Sequence, residues 1–216
     1  MSDFERVVFT PSNEPYLGLE ELVALDRVIV AAVEELHRAK PLTSNPHLST
    51  SQKAATLLIP SGYSLCLSVR ELIRQGYLHG ALTLLRPILE RAITVKYLRL
   101  HTEFHPIWEN GWKYKERPKL PEMIDALFSD NLDEELRQAL ADNNWTINKV
   151  LTSKGNEMVH GGIEGLLKNL NESGEGMISN PSKVVDRPDL AKEAALECAT
   201  WLIILMTESI AAFPEG

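Results

Sequence analysis

The segment Ser153-Lys154-Gly155-Asn156-Glu157-Met158-Val159-His160-Gly161-Gly162 sets an amide and an imidazole four residues apart and closes on two glycines. On a helix, positions i and i+4 share a face, so Asn156 and His160 can address one substrate atom. Histidine titrates closest to neutrality and can take or give a proton at cellular pH. Attack on a phosphate ester needs a base near the attacking hydroxyl and a donor or cation on the nonbridging oxygens. In that reading His160 is the base, Asn156 an orienting donor and Lys154 the charge. The same spacing also suits a histidine that only hydrogen-bonds a neighbouring helix.

A second group is Leu84-Leu85-Arg86-Pro87-Ile88-Leu89-Glu90-Arg91. Arg86 and Glu90 stand at i and i+4 on the most apolar helical stretch of the chain. A buried charge is costly unless paired, so the two are expected to pair in the interior or to serve a site. Pro87 removes the donor for the carbonyl of Thr83 and should bend the helix. A third group is Lys113-Tyr114-Lys115-Glu116-Arg117-Pro118-Lys119, following Trp112. Its four cations outnumber Glu116. Lys113, Lys115 and Arg117, with aromatic rings between them, are candidates to hold phosphates while bases stack; a solvated loop has the same composition. His101 and His105 share the i, i+4 spacing of some metal sites but lack the H-E-x-x-H pattern. No metal site or cofactor is expected, and neither a phosphate-binding glycine loop nor a G-x-S-x-G elbow is present.

The elements that would position these residues are helical. With 216 residues the chain can bury a full core. The net charge of −8 argues against a general nucleic-acid coat, though not against a local basic cleft. Cys66 and Cys198 read as reduced core thiols. Apolar periodicity predicts helices over about 17–39, 51–75 (with Pro60 inside), 77–100, 121–128, 132–151 and 188–213. The stretch 105–120 and the Gly/Ser/Asn-rich stretch 171–188 read as connections. Residues 1–16 form an extended N-terminal arm, with 7–10 able to make a short strand, and 17–216 form one helical domain. The expected fold is all-α, about six helices in a bundle. The most apolar stretch, 199–213, contains Glu208 and reads as too short to span a bilayer, so a soluble cytoplasmic protein is expected.

The helix around residues 84–97 with its R-x-x-x-E core, together with Asn156-x-x-x-His160-Gly161, resembles the HEPN superfamily over roughly residues 50–212. Within it the chain looks nearest to bacterial helical proteins, some found beside phage-abortive-infection proteins. The resemblance implies a helical bundle, usually dimeric, that cuts RNA without metal through attack by the RNA 2′-hydroxyl. Asn156 and His160 match the family's polar position and histidine. Gly155 stands where the family has arginine; Lys154 is adjacent, and Arg86 could bring charge from another helix. Two functions follow: a metal-independent endoribonuclease acting in phage defence or growth arrest with His160 as general base, or a non-catalytic module binding a nucleotide or a protein. The expected partners are a second copy of the chain, single-stranded RNA or a nucleotide, and a protein partner; no membrane is expected.

Overall fold

Physical features at each helix boundary account for the architecture. The computed structural model describes residues 14–129 and 187–214. Six α-helices lie within them: α1 (Glu20–Ala39), α2 (Thr50–Arg74), α3 (Leu78–Leu100), α4 (His105–Glu109), α5 (Leu120–Ser129) and α6 (Pro188–Ala212). The fold is all-α, with no strand among the described residues. The expected helix over 132–151, the connection up to residue 186 and the arm residues 7–10 lie outside the described residues.

Each long helix carries its own start and stop. Glu20 and Glu21 in the first turn of α1 and His37 and Arg38 in its last turn complement the helix dipole. At the start of α2, the Ser49 hydroxyl accepts from the Gln52 N–H, and the Gln52 side chain accepts from the Ser49 N–H. Its end is a glycine-capped turn. Gly76 takes φ +74°, its N–H donates to the Ile73 carbonyl, and the Tyr77 N–H donates to Leu72. That turn folds α3 back along α2, where Arg91 Nε reaches Ser61 Oγ at 2.9 Å.

Pairings between helices fix the directions of the bundle. Lys192 meets Glu21 at 3.4 Å and Ser209 meets Glu35 at 2.7 Å, so α6 runs parallel to α1. Gln52 Nε2 donates to the carbonyl of Ala212, so α2 runs antiparallel to α6. Gly62 permits the close approach of these two helices: a Cβ there would lie 2.5 Å from a methyl of Leu205. Pro60 points to solvent on α2, where the carbonyl it frees can be hydrated.

The core lies where α6 packs on α1, α2 and α3. Leu22 and Leu25, Val69 and Ile73, Ile88 and Leu98, and Leu202 and Leu205 are its largest sealed side chains. No residue of α3 from Leu78 to Arg99 is exposed, in line with a helix apolar on most sides. Cys66 and Cys198 are both buried and free. The hydrogen bond to Cys66, then burial, pushes the Cys198 thiol well above its ordinary pKa.

Two buried acids sit at the far end of the bundle. Glu208 is 2% exposed and receives both a 2.7 Å and a 3.1 Å hydrogen bond from Arg99. Glu35 accepts from Arg38 twice at 2.7 Å and from Ser209 Oγ. The last helix extends over 25 residues, longer than its most apolar stretch suggests, because Ala-rich turns after Pro188 continue it. By length and composition it could cross a bilayer; here half of its most apolar window is buried in the bundle.

Candidate functional site: a cationic cleft beside α3

Arg86, Glu90 and Thr94 are spaced by four and share one face of α3. Beyond α3 the chain makes two short turns that bring the basic segment back onto that face. The helix stops at Leu100, where His101 stacks on Tyr97 with centroids 4.4 Å apart. The His105 Nε2–H then donates to the Leu98 carbonyl, 2.8 Å away. The two histidines are therefore not on one helix and do not converge; Pro106 lies in the first turn of α4 rather than ending α3. Among the described residues no three His, Cys, Asp or Glu side chains are placed to hold a metal ion.

The turn after α4 aims the basic segment. The Gly111 N–H donates to Trp108 and the Trp112 N–H to Ile107, closing a second glycine-type cap. Trp112 itself takes φ +49°, a left-handed conformation that costs a non-glycine residue roughly 1–2 kcal/mol. Its indole lies edge-on to Trp108 at 5.6 Å, a contact that offsets part of this strain. From there residues 113–117 form a compact turn, with the Glu116 and Arg117 N–H groups both donating to the Lys113 carbonyl. The chain then enters α5, whose start is capped by Glu122 accepting from the Lys119 N–H at 2.8 Å. Met123 and Ile124 are buried and anchor α5 on α3.

The result is a cleft of about 280 Å³ between α3, the basic turn and the start of α5, lined by Arg86, Glu90, Thr94, Tyr114, Arg117 and Lys119 among others. Arg86 Nε donates to Glu90 at 3.0 Å. This pair differs from the sequence expectation in one respect: it forms, but Arg86 keeps 20% and Glu90 40% of its side-chain surface exposed. The pair opens into the cleft instead of being sealed in the core, because the face of α3 carrying it borders that space and not another helix. Arg117 and Lys119 make no ion pair among the described residues. Tyr114 is 83% exposed, and the Arg117 guanidinium lies 5.5 Å from its ring centroid. Lys113 pairs with Glu116 at 3.9 Å, and Lys113 and Lys115 are exposed residues of the turn that do not line the cleft.

Of the residues singled out in the sequence, the structure thus brings together Arg86, Glu90 and Arg117. Lys119, Tyr114 and Thr94 join them. Lys119 and Tyr114 belonged to the same basic segment; Thr94 carried no signal except its helical spacing from Glu90. Lys154, Asn156 and His160 lie outside the described residues. The segment 113–119 carries Lys113, Lys115, Arg117 and Lys119 against Glu116 alone, although the whole chain is acidic. The start of α5 adds its partial positive charge. Such a site attracts phosphate, and an exposed ring beside a guanidinium offers a flat surface to a base.

Fold and cleft together define a helical bundle with a cationic, aromatic-edged groove. Comparison with known proteins gives no matching family model, no matching curated protein and no matching solved structure.

Proposed function

We propose that the protein binds a phosphate-bearing nucleotide or a short single-stranded RNA segment in the cleft beside α3. The convergence of Arg86, Arg117 and Lys119 with Tyr114 on one cavity carries this reading. Residues from α3 and from a turn some thirty positions later supply complementary chemistry: fixed positive charge for phosphate, and a ring for the base. Arg117 is suited to the task because it already stacks on Tyr114 and has no carboxylate among the described residues to satisfy first. The test is binding of fluorescent single-stranded RNA and of nucleotides, with duplex DNA as control. Saturable binding of RNA or nucleotide that is lost in the Arg117→Glu and Tyr114→Ala double variant supports the reading. Wild-type affinity in that variant overturns it.

The HEPN resemblance adds a catalytic step to this proposal. In that step the RNA 2′-hydroxyl would attack the adjacent phosphorus, forming a 2′,3′-cyclic phosphate and breaking the bond to the 5′-oxygen, which leaves with a proton from water; His160 would take the hydroxyl proton and Asn156 and Lys154 would meet the phosphate charge. Such a metal-independent ribonuclease would serve phage defence or growth arrest. Loss of a general base typically slows a reaction by ~10²–10⁴-fold. Single-stranded RNA in excess EDTA, wild type against His160→Ala, distinguishes the two outcomes: cleavage only by the wild type supports catalysis, and binding without cleavage leaves a non-catalytic module.

Self-association belongs to the same proposal, and of the two apolar helices at 77–100 and 188–213 the second offers the surface. No residue of α3 from Leu78 to Arg99 is fully exposed, and its open face borders the cleft. On the outer face of α6, Leu196, Ile203 and Ile210 are exposed at seven-residue spacing. Between them Thr200 and Thr207 turn their hydroxyls back to the carbonyls of Leu196 and Ile203, leaving an uncharged surface. A second copy packing there would bury at least roughly 1,000 Å² in a specific dimer. Sedimentation of wild type against Ile203→Glu checks it; a wild type that stays monomeric at tens of micromolar overturns it.

A further inference from the structure

We propose that a second, separate site at the other face of the bundle binds a small apolar carboxylate, with its hydrocarbon chain in a cavity between α1, α2 and α6 and its head group at Lys40 and His37. The cavity has a volume of about 360 Å³, within the range of small-molecule sites. It lies where α1 and α6 end and α2 has just begun. Its walls are Leu36, Ala39, Ala55, Ile59, Pro60 and Phe213. Ala39 and Ala55 are sealed residues whose small size leaves the space open. Phe213 closes one side because the chain leaves α6 there and the ring turns inward, 4% exposed.

The polar atoms of this cavity decide what it can hold. Three hydroxyls line it, and all three have already donated their protons. Thr43 donates to the carbonyl of Lys40, Thr56 to that of Lys53, and Ser209 to the carboxylate of Glu35, each at 2.7 Å. The interior therefore has no hydroxyl proton left for an anion, and burying a carboxylate there would leave it unpaired. Hydrocarbon suits it. At the rim stand Lys40 and His37, both exposed and neither in an ion pair among the described residues. The nearby buried acids are engaged elsewhere, Glu35 with Arg38 and Ser209, and Glu208 with Arg99, while Glu34 is exposed on α1.

Two helix ends point their carbonyls toward this region, which by itself would repel an anion. Some of those carbonyls are engaged: Leu36 receives the Lys40 N–H, Ser209 the Phe213 N–H, and Ala212 the Gln52 amide. The cavity thus has an apolar interior with the Lys40 ammonium and the His37 imidazole at its mouth. That is the complement of an acyl anion: one charged end, one hydrocarbon end.

Decanoate, kept below its micelle concentration, is the probe. Calorimetry should show saturable binding to the full chain, with acetate and the neutral methyl ester of decanoate both much weaker. Lys40→Glu, a surface change that leaves the fold intact, should weaken decanoate at least about tenfold, the loss of one charge-assisted contact. Ala55→Leu, which fills the cavity, should abolish it. Arg117→Ala should leave it unchanged, which separates this site from the cleft beside α3. The proposal is overturned if decanoate does not saturate, if Lys40→Glu binds with wild-type affinity, or if the ester binds as well as the acid. It is also overturned if the protein sediments with anionic phosphatidylglycerol vesicles yet does not bind free decanoate, since the anion would then belong to a lipid surface.

Discussion

Replacing Arg117 by alanine should change how RNA affinity depends on salt, and the cleft geometry sets the size of the change. Three cations line the cavity: Arg86, Arg117 and Lys119. For a single strand, log affinity falls with log salt by about 0.7 per phosphate neutralised, so three contacts give a slope near −2.1. Between about 50 and 200 mM salt the wild type should then lose roughly 18-fold in affinity. Without Arg117 the slope falls to about −1.4 and the loss to roughly sevenfold. Tyr114→Ala acts on a different physical quantity. It removes a stacking surface worth ~1–3 kcal/mol and should weaken binding at every salt concentration by the same factor, with the slope unchanged. The assay is fluorescence anisotropy of a labelled single-stranded oligonucleotide across a salt series, with Lys53→Ala, an exposed change at the start of α2, as control. Two results would refute the reasoning: a slope in Arg117→Ala equal to that of the wild type, or a Tyr114→Ala variant that binds like the wild type.

Three further outcomes are expected. Glu90→Gln should cost under about 1 kcal/mol in chemical denaturation, because the Arg86–Glu90 pair is partly solvated, and should tighten RNA binding by removing a negative charge from the cleft; a loss of several kcal/mol would mean the pair is sealed. Glu208→Ala should be far more damaging, about 3 kcal/mol, because it strands the Arg99 guanidinium against the core; the one-third exposure of Arg99 keeps the cost at the lower end for a broken buried pair, and an unchanged urea midpoint would contradict it. Burial pushes the Glu35 carboxyl up, but its hydrogen bonds to Arg38 and Ser209 and the Arg38 charge outweigh burial and leave it below its ordinary value of 4.5. Its contribution is therefore present above about pH 4.5 and is lost as pH falls through the lower folded value, so Glu35→Gln should flatten that part of the acid limb in pH-dependent denaturation.

The ribonuclease proposal adds a chemical step to the binding proposal, so the two separate cleanly in the laboratory. Binding follows from charges and a ring already placed around one cavity. Cleavage needs His160 and Asn156 as well. The apolar-acid site stands apart from both, because it shares no residue with the cleft beside α3.

Much of the helical architecture was legible in the amino-acid order, since local signals write it. The 3.6-residue apolar period marked α1, α2, α3, α5 and α6, and Pro188 opened α6 where a first-turn proline belongs. The continuous apolar character of α3 announced a helix with neighbours on most sides. The i, i+4 spacing of Arg86 and Glu90 was enough to predict that they meet. Tertiary structure alone decided the environment of that pair. Spacing fixes which side chains touch, but burial depends on what packs over them, and here the neighbouring segment stands off to leave a cleft. Only the fold could bring Arg117 and Tyr114 to α3, because the end of α3 at His101, the Gly111 turn and the left-handed Trp112 reverse the chain between them. The acyl-sized cavity was likewise invisible: Ala39, Ala55 and Phe213 lie far apart in sequence, and a void is a property of what fails to fill the space between helices. Periodicity is local and is written in the chain, whereas cavities and their charges arise from distant segments meeting.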